Sequence, residues 1–348
     1  MSPRRTAASP TPTLRLSHLF PGGTQPPEQI LPPHFSSLAG DKTPGTLGRV
    51  MTAAAPRLVA LPSGLTIALE EYGAPDGEPV FFFHGWPSGR AQGALLHAAA
   101  VEVGARILAV DRPGIGRSSP QKERRLTDWP PLLRELAAAL NLERCRVIGV
   151  SGGGPYALVS AWGAPELVQS AAVICGAPPL ADLGSAGLTF TYRMMLAIHA
   201  RSRPLMRWIF RIFHPVAAVS PPTWMQVLLR GMVRGPDAVV LADATFSRLC
   251  YEGFRGAWGE CRDGVFDDAE IYVRPWGFPL EEVHRPVQVW HGTEDKNFSY
   301  HLAEKVAERL PHCVLHLVPD EGHFSLPIRH ASAILRELLA APAGETLT

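Results

Sequence analysis

The chain has almost no excess charge of either sign, because its 348 residues include 33 lysines and arginines against 32 aspartates and glutamates. A protein that binds nucleic acid needs a basic surface to attract phosphates, so we expect no nucleic-acid partner. The chain also lacks an apolar run near the ~20 residues needed to cross a bilayer, so we expect no stable membrane insertion. The sequence leaves the oligomeric state open.

Paired cysteine motifs are absent as well. The five cysteines are scattered without a C-x-x-C pair; they are Cys145, Cys175, Cys250, Cys261 and Cys313. An odd, unpatterned set is typical of free, mostly buried thiols in a reducing compartment, which predicts a cytoplasmic protein. We therefore expect neither a disulfide framework nor a metal site.

Residues 1–55 lack regular hydrophobic periodicity and are rich in proline, serine, threonine and glycine. Such a segment buries too little apolar surface to offset its loss of entropy, so we predict a disordered N-terminal extension. No continuous apolar stretch follows Arg4 and Arg5, which argues against a twin-arginine export signal. An organelle transit peptide stays an alternative, but a dispensable tail, or translation that begins at Met51, is favoured.

From residue 56 onward, short apolar runs alternate with helical patterns. Runs rich in valine and isoleucine are typical of strands buried on both faces. They occupy residues 57–61, 65–72, 79–83, 106–110, 146–150, 170–175, 287–290 and 314–318. The helical patterns occupy residues 90–103, 128–140, 153–163, 299–310 and 324–340. This alternation predicts an α/β fold, a mostly parallel sheet flanked by helices.

One interval, residues 180–283, breaks this alternation because it has helical patterns and no strand-like run. We call it the cap segment, and we predict that it is a helical cap inserted into the sheet domain. The α/β core then consists of two parts, residues 56–179 and 284–342.

The cap segment carries Arg203, Arg207 and Arg211 at a spacing of four residues, so they share one helix face. In one interpretation they pair with the acidic second half of the cap segment. In others they bind an anionic group of the substrate, or the helix touches a membrane surface. The apolar faces of the segment would then form an adaptable lid over an acyl or aromatic substrate.

Ser151 stands at the end of an apolar run, flanked by Gly149 and Gly153 and followed by a helical pattern. A sharp strand-to-helix turn holds a nucleophile in a strained conformation, and only glycines at these two positions let the chain pass. The helix N-terminus directs its positive dipole end toward a developing oxyanion. A glycine-rich turn with an idle serine is the alternative. The position between strand and helix favours a nucleophile.

Two further strand ends supply an acid and a base. Asp295 follows the run at 287–290, and His323 follows the run at 314–318. Both are therefore expected at the sheet edge that carries Ser151. A base must reach the serine, and a carboxylate must orient that base, so we predict a triad of these three residues.

Rival residues are less suitable. Among the histidines, His291 precedes its loop, His316 lies inside a strand, and His330 lies within the final helical pattern. Glu294, next to Asp295, is the most credible substitute for the acid.

The segment His84-Gly85-Trp86-Pro87 directly follows the apolar run at 79–83. The main-chain N–H groups of Trp86 and Gly152 are predicted to form an oxyanion hole. His84 could act as a second base, but the favoured interpretation is that it holds the loop by hydrogen bonds. The glycines after Ser151 belong to its turn and not to a dinucleotide-binding loop, so no cofactor is expected.

Together these motifs resemble the α/β-hydrolase fold-1 superfamily, in its serine-nucleophile branch with a helical cap. The resemblance spans residues 57–340, and its motifs stand in family order at 84–87, 111–118, 149–153, 292–295 and 322–323. The first two motifs look like those of epoxide hydrolases and dehalogenases, which have an aspartate at the nucleophile position. Ser151 stands at that position here, which argues against epoxide and haloalkane chemistry. The resemblance also implies that the cap segment is the family's cap.

The resemblance implies hydrolysis by a serine hydrolase. Its serine-nucleophile relatives include carboxylesterases, lipases, carbon–carbon bond hydrolases, proline iminopeptidases and cofactor-free haloperoxidases. A small-molecule carboxylic ester is the expected substrate, because its cleavage demands least beyond the triad.

Other substrates and another class of function stay open. A carbon–carbon bond hydrolase would need extra polar groups for a dienol-like substrate. An iminopeptidase or amidase would need a carboxylate such as Glu252 or Asp267 to bind a free amine. The alternative of another class is a non-catalytic ligand-binding protein that keeps the fold, which an intact triad disfavours.

Overall fold

The computed structural model describes residues 56–219 and 233–342. The predicted N-terminal extension, residues 1–55 with the suggested start at Met51, lies outside the described residues. Residues 220–232 of the cap segment also lie outside them.

Eight strands form a single sheet in the described part of the chain. In chain order they are β1 Arg57–Ala60, β2 Thr66–Gly73, β3 Glu78–Phe83, β4 Ala105–Val110, β5 Cys145–Val150, β6 Val168–Ile174, β7 Val287–Gly292 and β8 Cys313–Val318. Their spatial order is β1-β2-β4-β3-β5-β6-β7-β8. Strand β2 is antiparallel to both of its neighbours, and the strands from β4 to β8 are parallel. The predicted mostly parallel sheet is confirmed.

The apolar runs form strands because both faces of the sheet are covered. Every residue of β5 and β7 is buried. Successive side chains of β5 enter different clusters, Val147 the one on the first face and Ile148 the one on the opposite face. A strand that alternates between two apolar clusters needs no polar positions, which explains the unbroken apolar runs.

The helices cover both faces of the sheet and one of its edges. Those of the core are α1 His97–Val103, α2 Trp129–Ala139, α3 Gly154–Gly163, α10 Tyr300–Glu308, α11 Ser325–Arg329 and α12 Ala331–Ala340. Those of the cap segment are α4 Leu180–Leu183, α5 Phe190–Arg201, α6 Arg203–Ala217, α7 Pro236–Ala242, α8 Ala244–Ala257 and α9 Gly264–Val273. Helices α2, α3 and α10 pack on one face of the sheet, and α1 and α12 pack on the other.

One helix prediction needs correction. The pattern at 324–340 predicts a single helix that contains His330, but the structure has α11 and α12 with His330 between them. The main chain of His330, at φ −105° and ψ 9°, leaves the helical range there. The break turns the chain while the apolar spacing continues, so the periodicity did not reveal it.

The arginines of α6 pair with carboxylates in or next to α9. The pairs are Arg203 with Glu270 at 2.7 Å, Arg207 with Asp267 at 3.0 Å and Arg211 with Asp263 at 2.6 Å. The interpretation that these arginines pair within the cap segment is confirmed.

The outward face of α6 is apolar, with Trp208 58% and Ile212 53% exposed. Contact of this helix with a membrane surface stays a prediction. Across residues 56–219 and 233–342, no helix combines the length and the apolar character needed to span a bilayer.

The turn at Ser151 depends on a close approach between β3 and the residues after β5. A Cβ atom at Gly153 would lie 1.9 Å from the main-chain oxygen of Phe83. That oxygen belongs to a central strand and cannot move aside without disturbing the sheet. Only glycine therefore fits at position 153.

We predict that Gly153→Ala lowers the free energy of unfolding by about 3 kcal/mol or more, because the new methyl group overlaps main-chain atoms. Urea unfolding measures the change. Gly256→Ala in α8 is the control, since no atom lies within 4 Å of its added Cβ. The control should unfold at the same or a higher urea concentration. Equal stability of Gly153→Ala and the wild type would contradict the prediction.

Candidate active site

The loops after β3, β5, β7 and β8 meet at one edge of the sheet because these strands are parallel. Ser151 begins the loop after β5, and its main chain has a φ of 53°, in the left-handed region. A serine rarely adopts this conformation, which costs free energy of order 1–3 kcal/mol. The surrounding contacts maintain it, and the hydroxyl is carried at the tip of a sharp turn between β5 and α3.

His323 and Asp295 come together at the same edge. His323 Nδ1 donates a hydrogen bond to Asp295 Oδ2 at 2.7 Å, and both residues are buried. The other carboxylate oxygen of Asp295 accepts from the main-chain N–H groups of Asn297 at 2.7 Å and Phe298 at 3.1 Å. The carboxylate is therefore held in place, and it orients the imidazole so that Nε2 is the nitrogen left for chemistry.

The pKa values of His323 and Asp295 are shifted in opposite directions. Burial alone lowers the pKa of His323, but the Asp295 carboxylate outweighs burial, so the pKa lies above its usual value. Burial alone raises the pKa of Asp295, yet the neighbouring His323 and the hydrogen bonds bring it below its usual value. Asp295 therefore stays ionised and stabilises a proton on His323.

The rival residues have other hydrogen-bond partners. His291 Nε2 donates to the main-chain oxygen of Phe298 at 3.0 Å and also lies 3.4 Å from Asp295 Oδ2, a longer contact than that of His323. Burial lowers the pKa of His291. Glu294 accepts from the exposed Lys296 at 2.8 Å, so Asp295 and not Glu294 faces the histidine. The two other histidines weighed above pair with different carboxylates, His316 with Glu337 and His330 with Glu321.

The segment His84–Pro87 lies against the turn at Ser151. A Cβ atom on Gly152 would come within 2.8 Å of Trp86 Cβ, and one on Gly85 would come within 3.4 Å of Ser151 Cβ. Trp86 and Gly152 are thus neighbours next to the serine. Their role as N–H donors to an oxyanion stays a prediction.

The contacts of His84 favour the structural role over that of a second base. Its Nδ1 donates to the main-chain oxygen of Gly85 at 2.8 Å. Burial and the neighbouring Arg112 lower the pKa of His84 well below its usual value, so the ring is neutral.

A buried ion cluster joins the cap segment to the segment His84–Pro87, and sequence reasoning missed it. Arg112 donates to the main-chain oxygens of His84 and Gly85, and its Nη2 lies 2.6 Å from Asp268 of α9. Arg124 reaches the same carboxylate at 2.5 Å. Arg112 and Asp268 are fully buried. Arg112 follows β4 within a motif of the resemblance, but no local signal pointed to Asp268 as its partner.

Asp237 of α7 is a second cap residue that sequence reasoning missed. Its carboxylate accepts three main-chain N–H groups, from His323 at 3.0 Å, Phe324 at 2.8 Å and Ser325 at 2.8 Å. Asp237 is 6% exposed, and a Cβ on Gly322 would lie 2.4 Å from its Oδ1. The cap segment therefore fastens the loop that carries the histidine.

Two cavities meet at Ser151. One, of about 740 Å³, is also lined by His323, Gln92, Arg248 and Glu252. The other is smaller, about 90 Å³, and its apolar lining includes Met195, Met206, Phe210 and Phe266 of the cap segment. Trp86 and Tyr192 line both cavities. Ser151 thus stands between a larger mixed cavity and a smaller apolar one.

Among the described residues, three side chains of kinds that can bind a metal lie close together. They are Cys175, His291 and Asp295, and their potential ligand atoms are within 4.8 Å of one another. Their contacts serve the histidine and the loop after β7 instead. Asp295 binds His323, and His291 binds the main chain of Phe298. We assign no metal to this group.

Comparisons with known proteins agree with this architecture. A family model described as "Alpha/beta hydrolase family" matches residues 80–337. The chain is 27% identical to a non-heme chloroperoxidase from Streptomyces lividans, over 81% of this chain and 98% of that protein. It is 24% identical to a bifunctional esterase/perhydrolase from Acinetobacter calcoaceticus, over 81% of this chain and 98% of that protein.

The chain is also similar to a further relative and to a solved structure. The chain is 27% identical to a proline iminopeptidase from Neisseria gonorrhoeae, over 70% of this chain and 92% of that protein. An esterase structure from Exiguobacterium antarcticum superposes with a TM-score of 0.58 at 18% identity, over 82% of this chain and all of that one (100%). That likeness concerns the fold.

We predict that Asp268→Asn lowers the free energy of unfolding by about 3–5 kcal/mol, because Arg112 and Arg124 are left buried without a counter-charge. Thermal or urea unfolding measures it. Asp267→Asn, one residue earlier and partly exposed, removes only the pair with Arg207 and should cost about 1 kcal/mol or less. Similar losses in the two variants would contradict the importance of the buried cluster.

Proposed function

We propose, from the premise that this chain belongs to the alpha/beta hydrolase family, that it is a serine hydrolase acting on a small-molecule carboxylic ester. Ser151 is the nucleophile, His323 the base and Asp295 the carboxylate that orients it. The observation that carries the proposal is a serine at a strained turn, between two cavities, with an oriented histidine lining one of them.

The reaction proceeds in two halves. His323 Nε2 accepts the hydroxyl proton while Ser151 Oγ attacks the ester carbonyl. The carbonyl oxygen becomes an oxyanion, which the N–H groups of Trp86 and Gly152 stabilise. His323 then donates its proton to the alcohol oxygen as the carbon–oxygen bond breaks. Water, deprotonated by His323, attacks the acyl-enzyme and releases the acid and free Ser151.

The alcohol and the acyl group of the ester occupy different cavities in this proposal. The proton on His323 must reach the leaving alcohol, so the alcohol lies in the larger cavity that His323 lines. The acyl group then lies in the smaller apolar cavity, which Gly152 also lines. Its apolar walls favour a hydrocarbon acyl group, since each buried methylene contributes about 0.8 kcal/mol.

The alternatives have weaker support. An iminopeptidase or amidase needs a carboxylate free to bind an amine, but Glu252 pairs with Arg255 at 2.9 Å and Asp267 pairs with Arg207 at 3.0 Å. A carbon–carbon bond hydrolase needs polar groups around a dienol-like substrate, and the smaller cavity is lined mostly by apolar side chains. A non-catalytic ligand-binding protein would have no use for an oriented histidine that lines the same cavity as a strained serine.

We place the protein in the cytoplasm because its five cysteines are free thiols in the described residues. Burial raises the pKa of Cys145 and Cys250 to about 12, which makes these thiols unreactive. The proposed reaction requires water and no cofactor.

Replacing Ser151 tests the proposal. We expect the wild type to turn over p-nitrophenyl acetate, butyrate and octanoate, and Ser151→Ala to lose about 10⁴-fold or more in kcat, because no other hydroxyl takes the place of the nucleophile. Labelling of the wild type alone by a fluorophosphonate is the second measurement. Labelling without ester turnover would shift the proposal to amide or carbon–carbon substrates. Neither labelling nor turnover would favour the ligand-binding protein.

Asp237 should act on the reaction through the loop of His323. We expect Asp237→Asn to lower kcat by about 10- to 100-fold, because the histidine loses its fixed position. The reaction needs neutral His323, so activity rises with pH through its pKa. The Asp237 carboxylate helps to raise that pKa, so the variant's acid limb should move to lower pH.

The control for this variant is Asp243→Asn. Asp243 also accepts main-chain N–H groups, from Thr245 at 2.7 Å and Phe246 at 3.2 Å, but at the exposed start of α8. Its loss should cost about 1 kcal/mol of stability and leave the pH profile unchanged. Equal pH profiles for Asp237→Asn and the wild type would show that Asp237 has only a structural role.

A further inference from the structure

The smaller apolar cavity runs away from Ser151 between α5 and α9. Met195 and Leu196 of α5 line one side of it, and Ala269 and Val273 of α9 line the other. Polar side chains of the two helices also reach its wall, those of His199 and Glu270.

These two side chains are hydrogen-bonded to each other. His199 Nε2 donates to Glu270 Oε1 at 2.5 Å. Glu270 Oε2 accepts from Arg203 Nε at 2.7 Å and from Arg274 Nη2 at 2.8 Å. Both carboxylate oxygens are thus engaged, and Glu270 is 5% exposed. The pair therefore forms part of the cavity wall. Since both oxygens already have partners, neither is free to bind a polar group of a substrate.

A third cavity, of about 500 Å³, lies behind this wall. It shares five lining residues with the apolar cavity; they are Leu180, Leu196, His199, Glu270 and Val273. Its other lining residues include the exposed Ala200 and Arg203, so it opens to the surface of the cap segment. The His199–Glu270 pair thus stands between the apolar cavity and the outside.

We propose that the His199–Glu270 pair is a plug that sets the length of the acyl group, an inference that rests on the proposed function. The apolar cavity of about 90 Å³ has room for roughly six to eight water-sized groups. An ester of a hydrocarbon acid with roughly four to eight carbon atoms fills it, and a longer chain meets the plug. The substrate class is therefore an ester of a medium-length or compact aromatic acid.

His199 is the side chain to remove. Without its imidazole, Glu270 keeps both arginine partners, so no buried charge is left unpaired. The apolar cavity then joins the one behind it, which makes room for a longer chain. Ala269→Leu is the opposite change, because it adds three carbon atoms to the cavity wall.

The experiment measures kcat/KM for p-nitrophenyl acetate, butyrate, hexanoate, octanoate, decanoate and dodecanoate. We expect a wild-type maximum between butyrate and octanoate. His199→Ala should raise the ratio of dodecanoate to butyrate by about tenfold or more, and Ala269→Leu should lower the ratio of octanoate to acetate by a similar factor. His214→Ala is the matched control. His214 lies on α6, donates to the main-chain oxygen of Gly259 at 3.1 Å and lines neither cavity, so the control should keep the wild-type ratios.

The outcomes separate this inference from the proposed function. Ester turnover that depends on Ser151, with the same chain-length profile in the wild type, His199→Ala and Ala269→Leu, would overturn the plug and leave the serine hydrolase in place. A wild-type maximum at dodecanoate would also overturn the plug. No Ser151-dependent turnover of any ester would overturn the proposed function itself. If His199→Ala fails to fold, the loss of octanoate turnover in Ala269→Leu still tests the position of the acyl group.

Discussion

The close approach of Gly153 to the main-chain oxygen of Phe83 is the contact on which the candidate site depends. It seats the turn after β5 against the end of β3, which brings Ser151 beside the segment from His84 to Pro87. Because the neighbouring strands are parallel, their loops emerge at the same edge. The strained conformation of Ser151 is held there by the packing of a buried sheet, whose stability offsets the strain.

The cap segment does more than cover this edge. Asp268 holds Arg112, which in turn holds the main chain of His84 and Gly85. Asp237 holds the main chain of His323. Two buried carboxylates of the cap segment therefore position both the proposed oxyanion donors and the proposed base. Substrate shape and catalytic geometry are coupled through the same helices, because α9 carries Asp268 and also lines the apolar cavity.

Two polar side chains along the apolar cavity, His199 and Glu270, are paired with each other, and Glu270 also pairs with arginines. The arginines of α6 are paired with carboxylates in or next to α9, and Glu270 closes one end of the cavity with its charge fully engaged. The cavity therefore favours a hydrocarbon group, because a polar group of the substrate would be buried there without a hydrogen-bond partner. The proposed ester specificity follows from this arrangement together with the histidine on the other side of Ser151.

Local sequence patterns were enough to predict the strands, the parallel sheet, most helices of the core and the positions of Ser151, Asp295 and His323 after strands. These features rest on local patterns, such as apolar runs, glycine spacing and chain order, which short stretches of sequence contain. Other features came from the three-dimensional packing: Asp237 and Asp268 reach the loops of the core, His199 and Glu270 pair in the wall of the apolar cavity, and the last helical pattern breaks at His330. Those contacts join residues distant in the chain, as far as 156 positions apart for Arg112 and Asp268. Their pairing depends on how the cap helices pack on the sheet edge, which no local pattern encodes.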